Sequence, residues 1–149
     1  MITLRAVEEA DLEVFYEHQA DPASAAAAAV PSRDRDTTIE HWHRNLARED
    51  NVARTVLVDG SVCGNMVSWE WEGRRWVGYR IGREFWGQGV ATSALSQFCD
   101  LLPSRPLYAH VAESNLGSIR VLEKNGFVRA SEPPHTGDDG VVELLYVLN

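Results

Sequence analysis

Hydrophobic positions along the chain switch between a period of two and a period near 3.6, and the switches predict a string of strands and helices. Ile2–Ala6 reads as a short strand. Glu8–Gln19 carries Leu12, Phe15 and Tyr16 at helical spacing, with an acid-rich first turn that suits the helix dipole. The Ala-rich stretch Ala23–Val30, set between Pro22 and Pro31, reads either as a short helix or as a loop, and polar Ser32–Thr38 reads as loop. Thr38–Ala47 is a second helix, capped by Thr37 or Thr38, with Ile39, Trp42 and Leu46 as its apolar stripe. Ala53–Val58 and Val62–Trp71 face each other across Asp59-Gly60, a dipeptide favoured by type I′ hairpins. A further turn at Glu72-Gly73-Arg74 leads into Arg75–Gly82, so the middle of the chain predicts a three-strand antiparallel meander.

The period then lengthens. Ala91, Ala94, Leu95, Phe98 and Leu102 form a helical stripe over Val90–Leu102, ended by Pro103. Leu107–Ala112 is a strand. Asn115–Asn125 is a helix with Leu116, Ile119 and Leu122 on one face, Asn115 as N-cap and Gly126 at C′. Val128–Ser131 and Val141–Leu148 close the chain as a strand pair joined across Pro133–Gly140. The order β-α-α-β-β-β-α-β-α-β-β predicts an α+β fold with one mixed, mostly antiparallel sheet flanked by about four helices. The strand–helix–strand segment 75–112 predicts a right-handed crossover between parallel strands.

Composition narrows the class. At 149 residues with 44% hydrophobic content, the chain is expected to form one domain spanning 1–149 with a substantial core. Lys plus Arg number 14 and Asp plus Glu 22, a net charge of −8, which disfavours binding to nucleic acid. Cys63 and Cys99 are too few for a disulfide scaffold and read as buried small hydrophobes. No His/Cys/Asp/Glu cluster has metal spacing, so no metal is expected. His18, His41 and His43 fall on predicted helix surfaces, and most of the tryptophans (Trp42, Trp69, Trp71, Trp76, Trp86) are assigned to the core. Neither a signal peptide nor a membrane-spanning run is legible, so a cytoplasmic protein is expected.

The segment Val77–Thr92 carries the chemistry. A strand ends near Gly82, a loop holds Gly87 and Gly89, and a helix begins at once. Glycines allow backbone N–H groups close to a ligand, and a helix N-terminus adds partial positive charge, so the segment can cradle a phosphate or pyrophosphate. A bare strand-to-helix turn would use the same two glycines. No Gly-Lys-Ser/Thr follows, which excludes a Walker loop, and the preceding hairpins exclude a dinucleotide-binding βαβ unit.

Trp86-Gly-Gln-Gly-Val-Ala-Thr92 resembles the acetyl-CoA loop of the GCN5-related N-acetyltransferase (GNAT) superfamily, whose Q/R-x-x-G-x-G/A pattern falls on Trp86, Gly89 and Ala91. Trp86 departs from the Gln or Arg of that pattern, in the form familiar from the ribosomal-protein N-terminal acetyltransferase-like (RimJ/RimL-like) branch. Asn115-Leu-Gly-Ser-Ile-Arg-Val-Leu-Glu-Lys-Asn-Gly-Phe127 is similar to the second signature of that branch. Two motifs in order are far more specific than one, and the predicted element order matches the GNAT fold over essentially the whole chain.

The resemblance implies acetyl-CoA as co-substrate and acetyl transfer to a primary amine, either a protein N-terminal α-amine or a small molecule, by direct attack in a ternary complex. It implies that backbone groups of Ile81, Gly82 and Arg83 hold the pantetheine arm and that amides from Gly87, Gln88, Gly89, Val90, Ala91 and Thr92 hold the pyrophosphate. Asn115 would face the cofactor, and Ser118 would lie near the thioester sulfur. A backbone N–H near Ile81 would take the oxyanion. Many family members carry a tyrosine acid at the position of Leu122; here Ser118 becomes the candidate, as acid or as hydrogen-bond donor to sulfur. Among Glu70, Glu72, Glu143, Tyr79 and Arg80, Glu70 is the preferred general base, with a water chain to bulk as the alternative. The missing tyrosine also supports another reading, a non-catalytic acyl-CoA-binding or regulatory module. Asp34, Asp36, Asp138 and Asp139 in the variable loops would suit a cationic acceptor, and the paired final strands would allow a homodimer, with no nucleic-acid or membrane partner.

Overall fold

The computed structural model describes residues 1–149. Its elements run β1 (Ile2–Arg5), α1 (Asp11–Ala20), α2 (Pro22–Ala28), α3 (Arg35–Ala47), β2 (Val52–Val58), β3 (Ser61–Trp71), β4 (Arg74–Ile81), a 3-10 turn (Arg83–Phe85), α4 (Val90–Leu101), β5 (Leu107–Ala112), α5 (Leu116–Lys124), β6 (Val128–Arg129), β7 (His135–Thr136) and β8 (Val142–Leu148). The α+β order holds with two additions, α2 and the short strand β7, which falls in the stretch Pro133–Gly140 expected to be a connection. The Ala-rich stretch is a helix, so three helices rather than two precede β2 and five rather than four flank the sheet. Pro22 begins α2 inside the cap made by Asp21, whose carboxylate accepts from the Ser24 amide at 3.1 Å. The cap of α3 is Asp34, which accepts from Thr37 N at 2.7 Å, in place of the expected Thr37 or Thr38.

The strands form one sheet in the order β1-β2-β3-β4-β5-β8-β6, with β7 on the same edge of β8 as β6. Every pairing is antiparallel except β4 with β5. Both hairpin turns of the meander place consecutive residues at positive φ, Asp59 and Gly60 at 48° and 86°, Glu72 and Gly73 at 51° and 76°. That is the signature of a type I′ turn.

The β4–β5 pair decides where a ligand can enter. Its parallel register covers only Arg75 with Leu107 and Trp76 with Tyr108. Beyond Trp76 the two strands part, while β5 continues against β8 to Ala112. Gly82 N–H donates to Cys63 O at 2.8 Å on the β3 side, so by alternation the backbone groups of Ile81 face the gap. An α/β crevice at the carboxyl end of parted strands is a common ligand position.

Two helical layers cover the sheet. On one face α4 buries Val90, Ala94, Leu95, Phe98 and Cys99 against Val56, Met66, Val77 and Leu107. Leu122 of α5 is in this core, so its apolar side chain has a packing role. On the other face Leu12 and Phe15 of α1 pack on Trp42 of α3, with ring centroids of Phe15 and Trp42 4.8 Å apart. Both cysteines are buried, and burial pushes each thiol up to about 11. The tryptophans divide differently from expectation. Trp42 and Trp76 are buried, but Trp71 and Trp86 stand exposed. No helix is long and apolar enough to cross a membrane.

Candidate functional site

The gap between β4 and β5 opens into a cavity of about 650 Å³, walled by the loop after β4, the first turn of α4, the outer face of α5 and the end of α2. Of the expected cofactor contacts it gathers Ile81, Gly87, Gly89, Val90, Ala91, Thr92, Asn115 and Ser118. Gly82, Arg83 and Gln88, expected to contribute backbone groups, are not among the residues that line it. Gly82 faces the other way, where a Cβ would stand 2.6 Å from His18 Nε2. The Arg83 side chain turns toward Asp21, at 3.4 Å, and Gln88 donates to Glu84 O at 3.1 Å.

The loop is built to present amides. Gly87 and Gly89 take left-handed φ of 74° and 77°, and nothing lies within 4 Å of the Cβ either would carry. Side chains at these positions would be strained and would fill the cradle. Gly89 caps α4, and the first intrahelical bond closes from Ser93 N to Gly89 O at 3.1 Å. The amides of Val90, Ala91 and Thr92 are therefore the free donors of the helix start, at the positive end of its dipole. Trp86, the departure from the loop pattern, donates its indole N–H to Ile81 O at 2.8 Å and so ties the loop to the end of β4.

α5 forms the opposite wall. Asn115 accepts from Ser118 N at 3.2 Å, so its carbonyl caps the helix while the residue lines the cavity. Gly117, Arg120, Val121 and Lys124 follow along the same face at spacings of three and four. Arg120 and Lys124 escaped the sequence reading, although their i, i+4 spacing beside a presumed anion site was the available signal. Asn125 Nδ2 donates to Val121 O at 2.9 Å and to Thr92 O at 3.2 Å, which holds α5 in position against the first turn of α4. Free helix amides, three cations (Arg80, Arg120 and Lys124) and no carboxylate make a donor set that fits a pyrophosphate.

Beside Ser118 the structure supplies a tyrosine that the second signature lacks at Leu122. Tyr79 of β4 reaches across the gap, and its Oη is 2.7 Å from Ser118 Oγ. Burial pushes the phenol up to about 12, and the Ser118 contact pulls only partly against that. The phenol is thus protonated at neutral pH and available as a donor.

Glu70 is not brought to this place. It is paired with Arg75 across the β3–β4 hairpin, 3.5 Å from the Arg75 Nε, and Arg75 lies at the opposite end of β4 from Ile81. Six strand positions separate the two ends, roughly 20 Å. Glu72 sits in the hairpin turn itself, and Glu143 is on β8 beside His110, at 3.8 Å. No Asp or Glu lines the cavity. His18, expected on a helix surface, is buried against Gly82 with Nδ1 unpartnered, and burial holds its pKa below the usual histidine value.

A second cavity of about 270 Å³ lies on the α1–α3 face of the sheet, with Tyr79 and Arg80 contributing to both walls. His41 of α3 is among the residues that border it.

Comparison with known proteins bears on the family and the fold. The family model described as an acetyltransferase (GNAT) domain matches residues 1–128. An uncharacterized N-acetyltransferase p20 of Bacillus licheniformis is 29% identical over 150 residues, covering 88% of this chain and 84% of that protein. Among solved structures, spermidine N-acetyltransferase from Vibrio cholerae, in complex with CoA and spermine, superposes with a TM-score of 0.82 at 18% identity, covering 99% of this chain and 94% of the other. Aminoglycoside acetyltransferase AAC(6')-Ib, in complex with coenzyme A, gives 0.79 at 22% identity, with coverage of 97% and 94%. At such identities these structures speak for the fold, and the family model speaks for membership. The chain is an acyltransferase that belongs to the acetyltransferase (GNAT) domain family.

Proposed function

We propose that the protein transfers the acetyl group of acetyl-CoA to a primary amine by direct attack in a ternary complex. The observation that carries this is the pairing of an amide-lined, carboxylate-free cavity with the Tyr79–Ser118 contact where β4 and β5 part. The amides at Val90–Thr92 would hold the pyrophosphate, and Arg120 and Lys124 would add charge on the α5 side. When bound, acetyl-CoA supplies an acyl group already activated as a thioester.

The chain then has three tasks. The Ile81 N–H, directed into the gap, would donate to negative charge developing on the acyl oxygen. Ser118, polarised by the protonated Tyr79, would donate toward the sulfur. A phenol near 12 is a poor proton source for a thiolate whose conjugate acid is near ~8.5, so the pair is assigned to stabilise the leaving thiolate by hydrogen bonding. The third task is the amine proton. With no carboxylate in the cavity, it would leave through water, the route the sequence reading kept beside Glu70. In balance, a C–N bond forms, the C–S bond breaks, the amine loses a proton and the departing sulfur gains one.

The reading of a non-catalytic module rested on Leu122 in place of tyrosine. Leu122 is a core residue and Tyr79 brings a phenol to Ser118 from β4, so that reading loses its support. Titration calorimetry with acetyl-CoA, followed by CoA thiol release over an amine panel, tests the proposal. Binding with amine-dependent release is expected, and binding without turnover of any amine would restore the module.

A further inference from the structure

The 270 Å³ cavity adjoins the larger one and, like it, is bordered by cations and by no carboxylate. Two arginines border it, Arg80 from β4 and Arg33 from the loop before α3, and no Asp or Glu does. Arg80 is partly buried, its only side-chain hydrogen bond is to Ser24 Oγ at 2.6 Å, and it makes no ion pair. A guanidinium partly withdrawn from water without an ion pair favours an anion beside it. Arg33 is also without an ion pair. Its backbone is pinned over the cavity by Gln19, which accepts from Arg33 N at 2.7 Å and donates to Arg33 O at 2.8 Å.

Two amides make the second, independent observation. Asn65 is only 7% exposed, borders the cavity and makes no side-chain hydrogen bond within the protein. Asn45 Oδ1 is buried without a partner and borders the same space. Polar groups without a partner favour one, and both residues border the same cavity as Arg33 and Arg80. Donors for an anion and acceptors for N–H groups are therefore present in one small volume.

We propose that this cavity is the acceptor subsite and that it takes a compact primary amine carrying its own carboxylate, of the α-amino-acid class. The proposal rests on the acetyl-transfer reading above and narrows it. The volume is below the usual range of about 300–1,000 Å³ for drug-sized ligands, which favours a small acceptor. The charge argues against a polycation. Of the acids expected to suit one, Asp34 caps α3, Asp36 lies beside Arg35 and Asp139 accepts from Val141 N, and neither these nor Asp138 borders the cavity. Arg80 and Tyr79 border both cavities, so an amine held by its carboxylate at Arg33 and Arg80 would extend toward the Ser118 side.

The test uses the full chain with acetyl-CoA and matched acceptors: α-amino acids, their amides, spermidine, and a short peptide with an amidated C-terminus. The acids are expected to exceed their amides in kcat/KM by about tenfold or more, the worth of one charge-assisted contact. Arg33→Gln is the discriminating variant, because Arg33 borders only the second cavity. It should shrink the acid-to-amide ratio by raising KM for the acid, with acetyl-CoA affinity by calorimetry unmoved. Equal or better turnover of the amides, the polyamine or the peptide overturns the inference and leaves acetyl transfer standing. Acetyl-CoA binding without turnover of any acid also overturns it. Failure of acetyl-CoA to bind at all brings down the underlying reading, and this inference with it.

Discussion

Tyr79 Oη lies 2.7 Å from Ser118 Oγ, joining the central strand to the second signature helix across the gap between β4 and β5. Residues 39 positions apart in the chain thereby form one hydrogen-bonded unit in the wall of the 650 Å³ cavity. If that unit stabilises the leaving thiolate, Tyr79→Phe and Ser118→Ala should each lower kcat by about 10- to 100-fold. The double variant should lose little more than the worse single one, since the two groups act together. Steady-state kinetics with acetyl-CoA held saturating would check this.

The pH dependence follows from the same contact. Burial raises the Tyr79 phenol to about 12, so its proton is retained throughout the working range. The kcat profile should show no descending limb from this group between pH 7 and about 10, where an ordinary tyrosine begins to ionise. A limb near pH 10 that disappears in Tyr79→Phe would contradict the assignment.

Much of this site was legible in the residues, and the failures have physical causes. The cradle was readable because Gly87 and Gly89 mark a backbone conformation, which is local. Asn115 and Gly126 likewise marked the ends of α5 by capping chemistry alone. The Tyr79–Ser118 contact was not readable, because it depends on how far β4 parts from β5. Glu70 was misplaced for a different reason. The hairpin at Glu72-Gly73 pairs it with Arg75, and counting that register would have sent it to the far end of β4. His18 was assigned to the surface because α1 lacks a clear polar face, and its burial follows from Gly82 having no side chain.

That last relation can be tested directly. Gly82 has an ordinary negative φ of −58°, so alanine there is conformationally allowed, but its Cβ would stand 2.6 Å from His18 Nε2. Gly82→Ala should cost about 1–3 kcal/mol through overpacking. His18→Ala in the same chain should return part of that loss, seen as a recovered midpoint in denaturant unfolding.

A separate anchor holds α1 to the sheet. Asp11, 3% exposed, accepts from Arg5 at 2.7 and 2.9 Å, from Thr55 at 2.6 Å and from Glu8 N at 2.8 Å. Burial pushes its carboxyl up, but these donors outweigh it and hold the pKa at about 2 against an ordinary 3.8. A carboxyl depressed on folding stabilises above its unfolded pKa and loses that contribution as pH falls through its folded one. Roughly 2 kcal/mol should therefore be present above pH 5 and lost between about pH 4 and 2. Asp11→Asn should flatten this part of the stability curve and cost about 3 kcal/mol at neutral pH.

Glu70 supplies the complementary test. Its carboxylate is half-exposed, paired with Arg75 and remote from the cavity, so Glu70→Gln should change kcat/KM by less than about twofold, within the effect of an exposed ion pair. A large loss, with a shifted acidic limb in the rate profile, would return it to the role of base.

The most direct test of acetyl transfer at this site is CoA thiol release from acetyl-CoA, followed with and without an amine, in the parent chain and in Ser118→Ala. Release that depends on the amine, and that falls at least about tenfold in the variant while acetyl-CoA still binds, is the predicted result. Release at the same rate without an amine, or unchanged in Ser118→Ala, would contradict it.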